Sequence, residues 1–547
     1  MSQLSGVTDD QTVFGRFQRT AERYADRPFL TVLPETAAVY GIAAGTTTYG
    51  KALDAVLAQV EAYRAGGYGA GHRVGLLLHN RPDFIFHWFA LNALGVSVVP
   101  INPDLRAVEL EYLIAHSKLV LAVATADRVR DLVEAAEASG AVIGVITPGE
   151  PVPAAATPRT LGQAGLSRDD ECALLYTSGT TGKPKGCVLT NDYFLTAGEW
   201  YATVGGLAAL RADPPERMLT PLPLFHMNAM AYSLIGVITV GGSIAILDRF
   251  HPKRWWASVR TFGATVVHYL GVMPAMLMAA PADPSDTAHE VRFGFGAGVD
   301  RSLHGPFEER FGFPLLEAWA MTETGAGAVV IASEEPRRIG TNCFGRPRPE
   351  VEIAIRTETG GEAMTDEPGE MLVRRAGPDP KRGFFREYLG DPDATKAAWE
   401  GGWFHTGDVV RRDADGQLHF VDRRKNVIRR SGENISAVEV ESVLARHPGV
   451  GSVAVAPTLD AVRGEEVVAL IVPREGACAG PELAREIVRY CLSQLAYYKA
   501  PGHVAFVDAI PLTSTEKIQR GALKTTVETL IAKGIAIDTR SLKKRTA

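Results

Sequence analysis

Cysteine is scarce and unpatterned. The 547 residues hold five, an odd number, with no Cys-x-x-Cys pair and no Cys/His spacing of a metal site. That excludes a disulfide framework and a structural zinc site. A reducing cytoplasm is the simplest setting for Cys172, Cys187, Cys343, Cys478 and Cys491, so a cytoplasmic location is expected. A surplus of positive charge is missing too: 57 Lys and Arg stand against 63 Asp and Glu, for a net charge of −6. The basic footprint of a nucleic-acid binder is therefore absent, and no nucleic-acid partner is expected. The opening "MSQLSGVTDDQTVFGRF" carries acids where a signal peptide needs an apolar run, so export is not expected. A single uncharged stretch has membrane length, Met227 to Leu247. It contains Gly236, Gly241 and Gly242 and closes on "SIAIL", which reads as a buried helix, a glycine turn and a strand rather than a span. No integral membrane association follows from it.

The chain is too long for one hydrophobic core, so more than one domain is expected. Short apolar runs alternate with amphipathic ones over roughly the first four hundred residues, judged by the patterning rules for strands and helices. "RVGLLL" (Arg73–Leu78), "VSVVPIN" (Val96–Asn102), "LVLAVA" (Leu119–Ala124) and "AVIGVI" (Ala141–Ile146) predict strands, with helices over Asp83–Leu94 and Ala107–His116. A second series follows with "RMLTPLP", "SIAILD", "ATVVHYL" and "VRFGFGAG". Such alternation predicts α/β layers built on mainly parallel sheets. From residue 348 the pattern turns β-rich ("VEIAIR", "GEMLVRR"), and beyond the charged, turn-like "DRRKN" a small α+β unit is expected. The boundary falls near Arg424–Lys425, giving a large domain over 1–424 and a small one over 425–547.

Polar residues concentrate in a few islands. "YTSGTTGKPKG" (Tyr176–Gly186) gathers glycines, hydroxyls and lysines, the composition that cradles a polyphosphate. It is not a Walker loop, because Gly179 and Gly182-Lys183 are too close together and Pro184 follows. A solvated Gly/Thr linker is the alternative, but the apolar "CALLY" (Cys172–Tyr176) ahead of it reads as a buried strand that delivers the loop. Thr177, Ser178, Thr180 and Thr181, with Lys183 and Lys185, can all donate to phosphates, and Gly179 and Gly182 admit main-chain approach. "PLPLFHMNA" sets His226, Met227 and Asn228 in an apolar run, where a lone histidine is more often a packing residue. "GFGAGVD" (Gly294–Asp300) and "EAWAMTETG" (Glu317–Gly325) follow two expected strands. The small Gly296, Ala297 and Gly298 let a flat ring or an acyl chain approach the main chain. "GWFHTGD" brings Asp408 to a turn, where its carboxylate can accept from a diol. "SGENIS" (Ser431–Ser436) and "PLTSTEKIQR" (Pro511–Arg520) complete the set.

These islands, in this order and at this spacing, resemble the adenylate-forming superfamily of acyl-CoA synthetases, luciferases and peptide-synthetase adenylation domains. The likeness runs from about Tyr49 to Leu523. "PLFHMNA" and "FEERFGFPLLEAWAMTE" look most like its crotonobetaine/carnitine–CoA ligase branch. The resemblance implies a small mobile C-terminal domain and an ATP-dependent acid–CoA ligase. Such an enzyme uses ATP, Mg²⁺ and coenzyme A on a small carboxylic acid and passes through an acyl-adenylate. Thr177 to Lys185 would hold phosphates, Trp319 would stack on adenine beside Gly298, and Thr322 would contact the α-phosphate. Glu323 would bind magnesium, and Asp408 and Arg423 would hold the ribose. Lys425 would be the hinge and Lys517 the catalytic cation. His226, Met227, Asn228, Gly296, Ala297, Ala320, Gly432 and Glu433 would line the acyl and CoA pocket.

Two positions depart from the family pattern. Ala320 stands where relatives have glycine, which predicts a shortened or reshaped acyl pocket, and Glu516 replaces the glycine before Lys517. No carrier domain follows the Lys517 motif, which favours CoA as acceptor. A stand-alone adenylation enzyme loading a carrier protein, or a nucleotide-binding regulator impaired in catalysis, remains the alternative. The sequence sets neither the acid nor the number of subunits, and a homodimer stays open.

Overall fold

The computed structural model describes residues 11–159, 165–177, 183–357, 359–423, 427–511, 518 and 520–544. Among them four β-sheets form, and the two largest are mainly parallel, as the alternating pattern predicts. In the seven-stranded sheet Arg73–Leu77 lies between Ser97–Pro100 and Leu121–Ala124, all parallel. Those three strands are buried almost throughout. Helices Pro82–Asn92 and Ala107–Ser117 supply the crossovers, which explains why the strands read as continuous apolar runs: both faces are covered. The eight-stranded sheet carries Leu315–Trp319, Phe293–Ala297, Val266–Leu270, Arg217–Thr220 and Ser243–Ile246 side by side and parallel.

A five-stranded antiparallel sheet follows, with Phe404–Arg412 between Leu418–Arg423 and Gly369–Arg375. It is the β-rich piece expected beyond residue 348. The last sheet runs from Val427–Arg430 to Ile537–Asp538 and packs with helices Ala437–Leu444, Pro481–Gln494 and Arg520–Ala532. Its apolar side chains, among them Ile435, Val440, Val467, Ile487 and Val504, form clusters separate from the main core. The architecture is thus a large N-terminal α/β part and a small α+β C-terminal part.

The uncharged stretch after His226 resolves as Asn228–Ile235 in a π-helix, Gly236–Val240 in an α-helix, a left-handed Gly241 and the strand Ser243–Ile246. Among the described residues no helix is long and apolar enough to cross a membrane. The five cysteines are all free. Two expectations need correction. Asp408 lies inside the strand Phe404–Arg412, at a register shift after the left-handed Gly407, and not in a turn. Gly296 and Ala297 belong to the strand Phe293–Ala297 rather than following it, and Glu317 to Trp319 likewise sit within Leu315–Trp319.

Candidate active site

The carboxyl ends of both parallel sheets converge on one cavity of about 1070 Å³. Pro100, Thr177, Leu270 and Ala297 end their strands on its wall, and Asn102, Leu222 and Ala320 follow just beyond theirs. Open parallel sheets expose loop backbone and side chains at this edge, and ligands bind there.

Glu323 is the best-defined polar group on that wall, with 8 % of its surface exposed. Its Oε1 accepts from Tyr388 Oη at 3.1 Å and from Thr177 Oγ1 at 3.4 Å. Burial and the adjacent Glu323 charge push the Tyr388 phenol far up, so it stays a donor. Tyr193 Oη donates to the Thr322 carbonyl at 2.9 Å, which fixes the turn carrying both residues. The second carboxylate oxygen of Glu323 has no hydrogen bond among the described residues. No group of three His, Cys, Asp or Glu side chains able to cage a metal forms among the described residues. One buried carboxylate beside a hydroxyl fits Mg²⁺ all the same, because that ion takes one or two protein oxygens and fills its shell with phosphate oxygens and water.

Trp319 Nε1 donates to Asp408 Oδ2 at 2.9 Å, and Asp408 is fully buried. Asp408 pairs across the sheet with Arg423, so it meets Trp319 through its side chain and Arg423 through the backbone. Next to them Gly298 (φ +82°) and Val299 donate their N–H groups to the buried Glu317, at 2.9 and 3.2 Å. A Cβ at Gly296 would come within 2.3 Å of the Tyr269 carbonyl oxygen, so only glycine fits that stretch of cavity wall.

His226, Met227, Asn228, Gly296, Ala297, Ala320, Thr322, Gly432 and Glu433 all line the cavity. Glu433 comes from the C-terminal part, with Oε1 at 3.4 Å from His226 Nε2. Lys183 also faces the cavity, its Nζ 5.3 Å from the centre of the Tyr112 ring, while Tyr112 Oη donates to the Pro184 carbonyl at 2.9 Å. Lys185 does not line it. Its Nζ sits 4.8 Å from the Tyr388 ring centre and 4.0 Å from Asp391 Oδ2. Ser178, Gly179, Thr180, Thr181, Gly182, Lys425 and Lys517 lie outside the described residues, as does the side chain of Arg423.

A clasp that sequence reasoning missed joins the two parts. Lys499 Nζ donates to Glu109 Oε1 at 2.6 Å and Glu439 Oε1 at 2.9 Å, and Ala496 N–H donates to Glu109 Oε2 at 2.9 Å. Asn102 Nδ2 adds a bond to Tyr498 Oη at 3.1 Å. Burial alone would pull Lys499 down, but the two carboxylates outweigh it and hold its pKa above the ordinary value. Glu109 reads in sequence as one more charge on an amphipathic helix, and no local signal marks its partner.

The profile of the AMP-binding enzyme family matches residues 17–389, and that of the AMP-binding enzyme C-terminal domain matches 439–517. A crotonobetaine/carnitine–CoA ligase of Salmonella paratyphi A is 33% identical over 473 residues, which cover 84% of this chain and 89% of that one. Among solved structures, o-succinylbenzoate CoA synthetase of Bacillus subtilis is 25% identical. Its double mutant bound to the product analogue OSB-NCoA superposes with a TM-score of 0.78, covering 93% of this chain and 97% of that one. The same synthetase in complex with its acyl-adenylate intermediate superposes with a TM-score of 0.64 at the same coverage.

Proposed function

Because the chain belongs to the AMP-binding enzyme family, we propose that it is an ATP-dependent carboxylic acid–CoA ligase that forms an acyl-adenylate and then an acyl-CoA thioester. One observation carries the reading. A single cavity joins Thr177 and Glu323, an apolar wall from Met227 to Ala320, and the Gly432–Glu433 turn of the C-terminal part.

In the first step a carboxylate oxygen attacks the α-phosphorus of ATP, and the bond to the β-phosphate oxygen breaks to release pyrophosphate. The acid is already ionised at neutral pH, so no general base is needed. Thr177, Lys183 and the residues Ser178 to Gly182 bind the phosphates, Trp319 stacks on the adenine, and Asp408 with Arg423 holds the ribose. Thr322 orients the α-phosphate and Lys517 offsets the negative charge that grows on its oxygens. Glu323 and Thr177 would hold Mg²⁺, which when bound neutralises phosphate charge. Positioning and electrostatics carry most of such a transfer.

The second step follows a turn of residues 425–547 about Lys425 against residues 1–424. The CoA thiol attacks the acyl carbon and loses its proton. The acyl carbon–oxygen bond breaks, and AMP leaves with the oxygen that came from the acid. The Gly432–Glu433 turn over the cavity supports reading the present arrangement as the one for this step. So does the closer superposition on the CoA-analogue complex than on the acyl-adenylate complex of the same synthetase.

The test is a panel of short-chain, branched, aryl and betaine-like acids assayed for AMP, with and without CoA and with a phosphopantetheinylated carrier protein. AMP formed in step with acyl-CoA is expected. AMP binding without turnover of any acid would contradict the reading, and turnover confined to the carrier would replace CoA as the acceptor.

Two predictions arise from the walls of this site. Glu109→Gln removes one charge from the clasp and keeps its shape. Charged hydrogen bonds are worth roughly 1.5–3 kcal/mol, so thioester formation is expected to slow about tenfold while acid-dependent pyrophosphate exchange holds. Rapid-quench measurement of each half-reaction reads both. Ala320→Gly should open the acyl pocket. The ratio of kcat/KM between acids one carbon apart should shift by about fourfold toward the longer one, at about 0.8 kcal/mol per buried methylene. An unchanged ranking of chain lengths would show that Ala320 does not shape the pocket.

A further inference from the structure

The acyl wall contains a polar device that an apolar fatty acid would not use. His268, on the strand Val266–Leu270, is completely buried, and burial pushes its pKa down to about 3, so the ring is neutral and carries one N–H. Both nitrogens are engaged. Tyr201 Oη lies 3.1 Å from Nε2, while Asn228 Oδ1 and Ser233 Oγ each lie 2.9 Å from Nδ1. Burial holds the Tyr201 phenol protonated. The Asn228 Oδ1 against Nδ1 can only accept, so the ring proton sits on Nδ1 and is donated to Asn228 and Ser233, and Nε2 accepts from the Tyr201 O–H.

The backbone makes this junction possible. Asn228 and Ser233 are five residues apart in the π-helix Asn228–Ile235. Its i→i+5 bonding brings them to one face, whereas an α-helix would pair residues three or four apart. With Oδ1 committed to the imidazole, the Asn228 carboxamide presents its NH₂ group. That group has no hydrogen bond among the described residues, and Asn228 is half-buried on the cavity wall. The rings beside it are aromatic: Phe295 lies 4.8 Å from His268 and 5.5 Å from Tyr232, centre to centre.

On the ligase reading above, we propose that Asn228 is a specificity-determining residue, and that the acid is one whose acyl chain carries a neutral hydrogen-bond acceptor, a hydroxyl or keto oxygen. Its NH₂ donates to that oxygen, while Tyr201 and His268 act as positioning residues that hold the amide in the donating orientation. The charge balance sets the class. Glu317 is saturated by the Tyr269 hydroxyl at 2.9 Å and by two backbone N–H groups, so it is not offered to a cationic chain. None of Tyr201, Asn228, Tyr232, His268, Tyr269 and Phe295 carries a positive charge, so a second carboxylate seated against this wall finds no counter-ion on it; the cavity's cations, Lys183, Arg429, Arg446 and Lys499, line it from other segments. A purely hydrocarbon chain would strip water from the amide and return nothing.

The experiment pairs short straight-chain acids with their hydroxy and oxo derivatives, oxygen placed at successive carbons. The full-length chain is assayed with ATP and Mg²⁺ for acid-dependent pyrophosphate release. At least one oxygenated acid is expected to exceed its deoxygenated parent by about tenfold in kcat/KM. Asn228→Leu, nearly isosteric, is expected to cut that ratio to about twofold or less. Where Asn228→Leu does not fold, Asn228→Asp is held to the same criterion, since it keeps the shape and removes the donor. Parent acids that outrun every oxygenated partner in the unmodified chain would overturn the inference, as would a ratio that survives loss of the NH₂ group. Absence of turnover with every acid is a different result: it removes the ligase reading and this inference with it.

Discussion

Replacing Gly432 with valine is expected to slow thioester formation about a hundredfold while pyrophosphate exchange stays within about threefold of the parent. Gly432 sits at φ +90°, and a Cβ there would lie 2.3 Å from Leu270 Cδ1 on the cavity wall. A side chain in the left-handed region costs roughly 1–2 kcal/mol. Overpacking a filled contact adds roughly 1–3 kcal/mol. For a branched side chain the overpacking lies at the upper end of that range, about 3 kcal/mol, which corresponds to about two factors of ten in rate. The overpacking applies only while the Ser431–Gly432 turn is docked against Leu270, so the half-reaction that uses another domain position escapes it, whereas the left-handed strain stays with the turn and acts on both halves alike. Rapid-quench assays of the separate halves measure this. Equal losses in both halves would mean that the turn supports folding rather than the second step.

The opposite separation is expected for Glu323→Gln. The amide keeps an oxygen for the Tyr388 and Thr177 hydroxyls, which lie at 3.1 and 3.4 Å from Oε1, so the local hydrogen bonds survive. What is lost is the hard anionic oxygen that suits Mg²⁺. Removing one group that stabilises transition-state charge costs about a hundredfold to a thousandfold. Pyrophosphate exchange should fall by that factor, with the dependence on Mg²⁺ moved to higher concentration. Thioester formation from supplied acyl-adenylate should continue. An unchanged Mg²⁺ dependence would remove Glu323 from the metal.

The strands were legible in sequence because burial on both faces writes them as unbroken apolar runs. Arg73–Leu77, Ser97–Pro100 and Leu121–Ala124 lie inside the expected runs. The C-terminal part was legible as a small α+β unit beyond "DRRKN", where the structure has a sheet packed with helices Ala437–Leu444, Pro481–Gln494 and Arg520–Ala532. Asp408 was misplaced because Thr-Gly-Asp is turn chemistry, yet the sheet absorbs the left-handed Gly407 as a register shift within a nine-residue strand. The π-helix was invisible: "NAMAYSLI" is buried on nearly every side, so no apolar period distinguishes one helical pitch from another. Most hidden were pairs made by topology alone. Lys499 and Glu109 are 390 residues apart, and only the docking of one part on the other makes either of them more than a surface charge.

The central claim is that this cavity links acid and adenylate through one shared oxygen before the thiol arrives. The direct measurement uses an acid whose carboxylate carries heavy oxygen, incubated with ATP, Mg²⁺ and CoA, followed by mass analysis of the nucleotide. The account predicts AMP bearing a single heavy oxygen on its phosphate, formed in step with acyl-CoA. Unlabelled AMP, or label appearing in inorganic phosphate beside ADP, would contradict it.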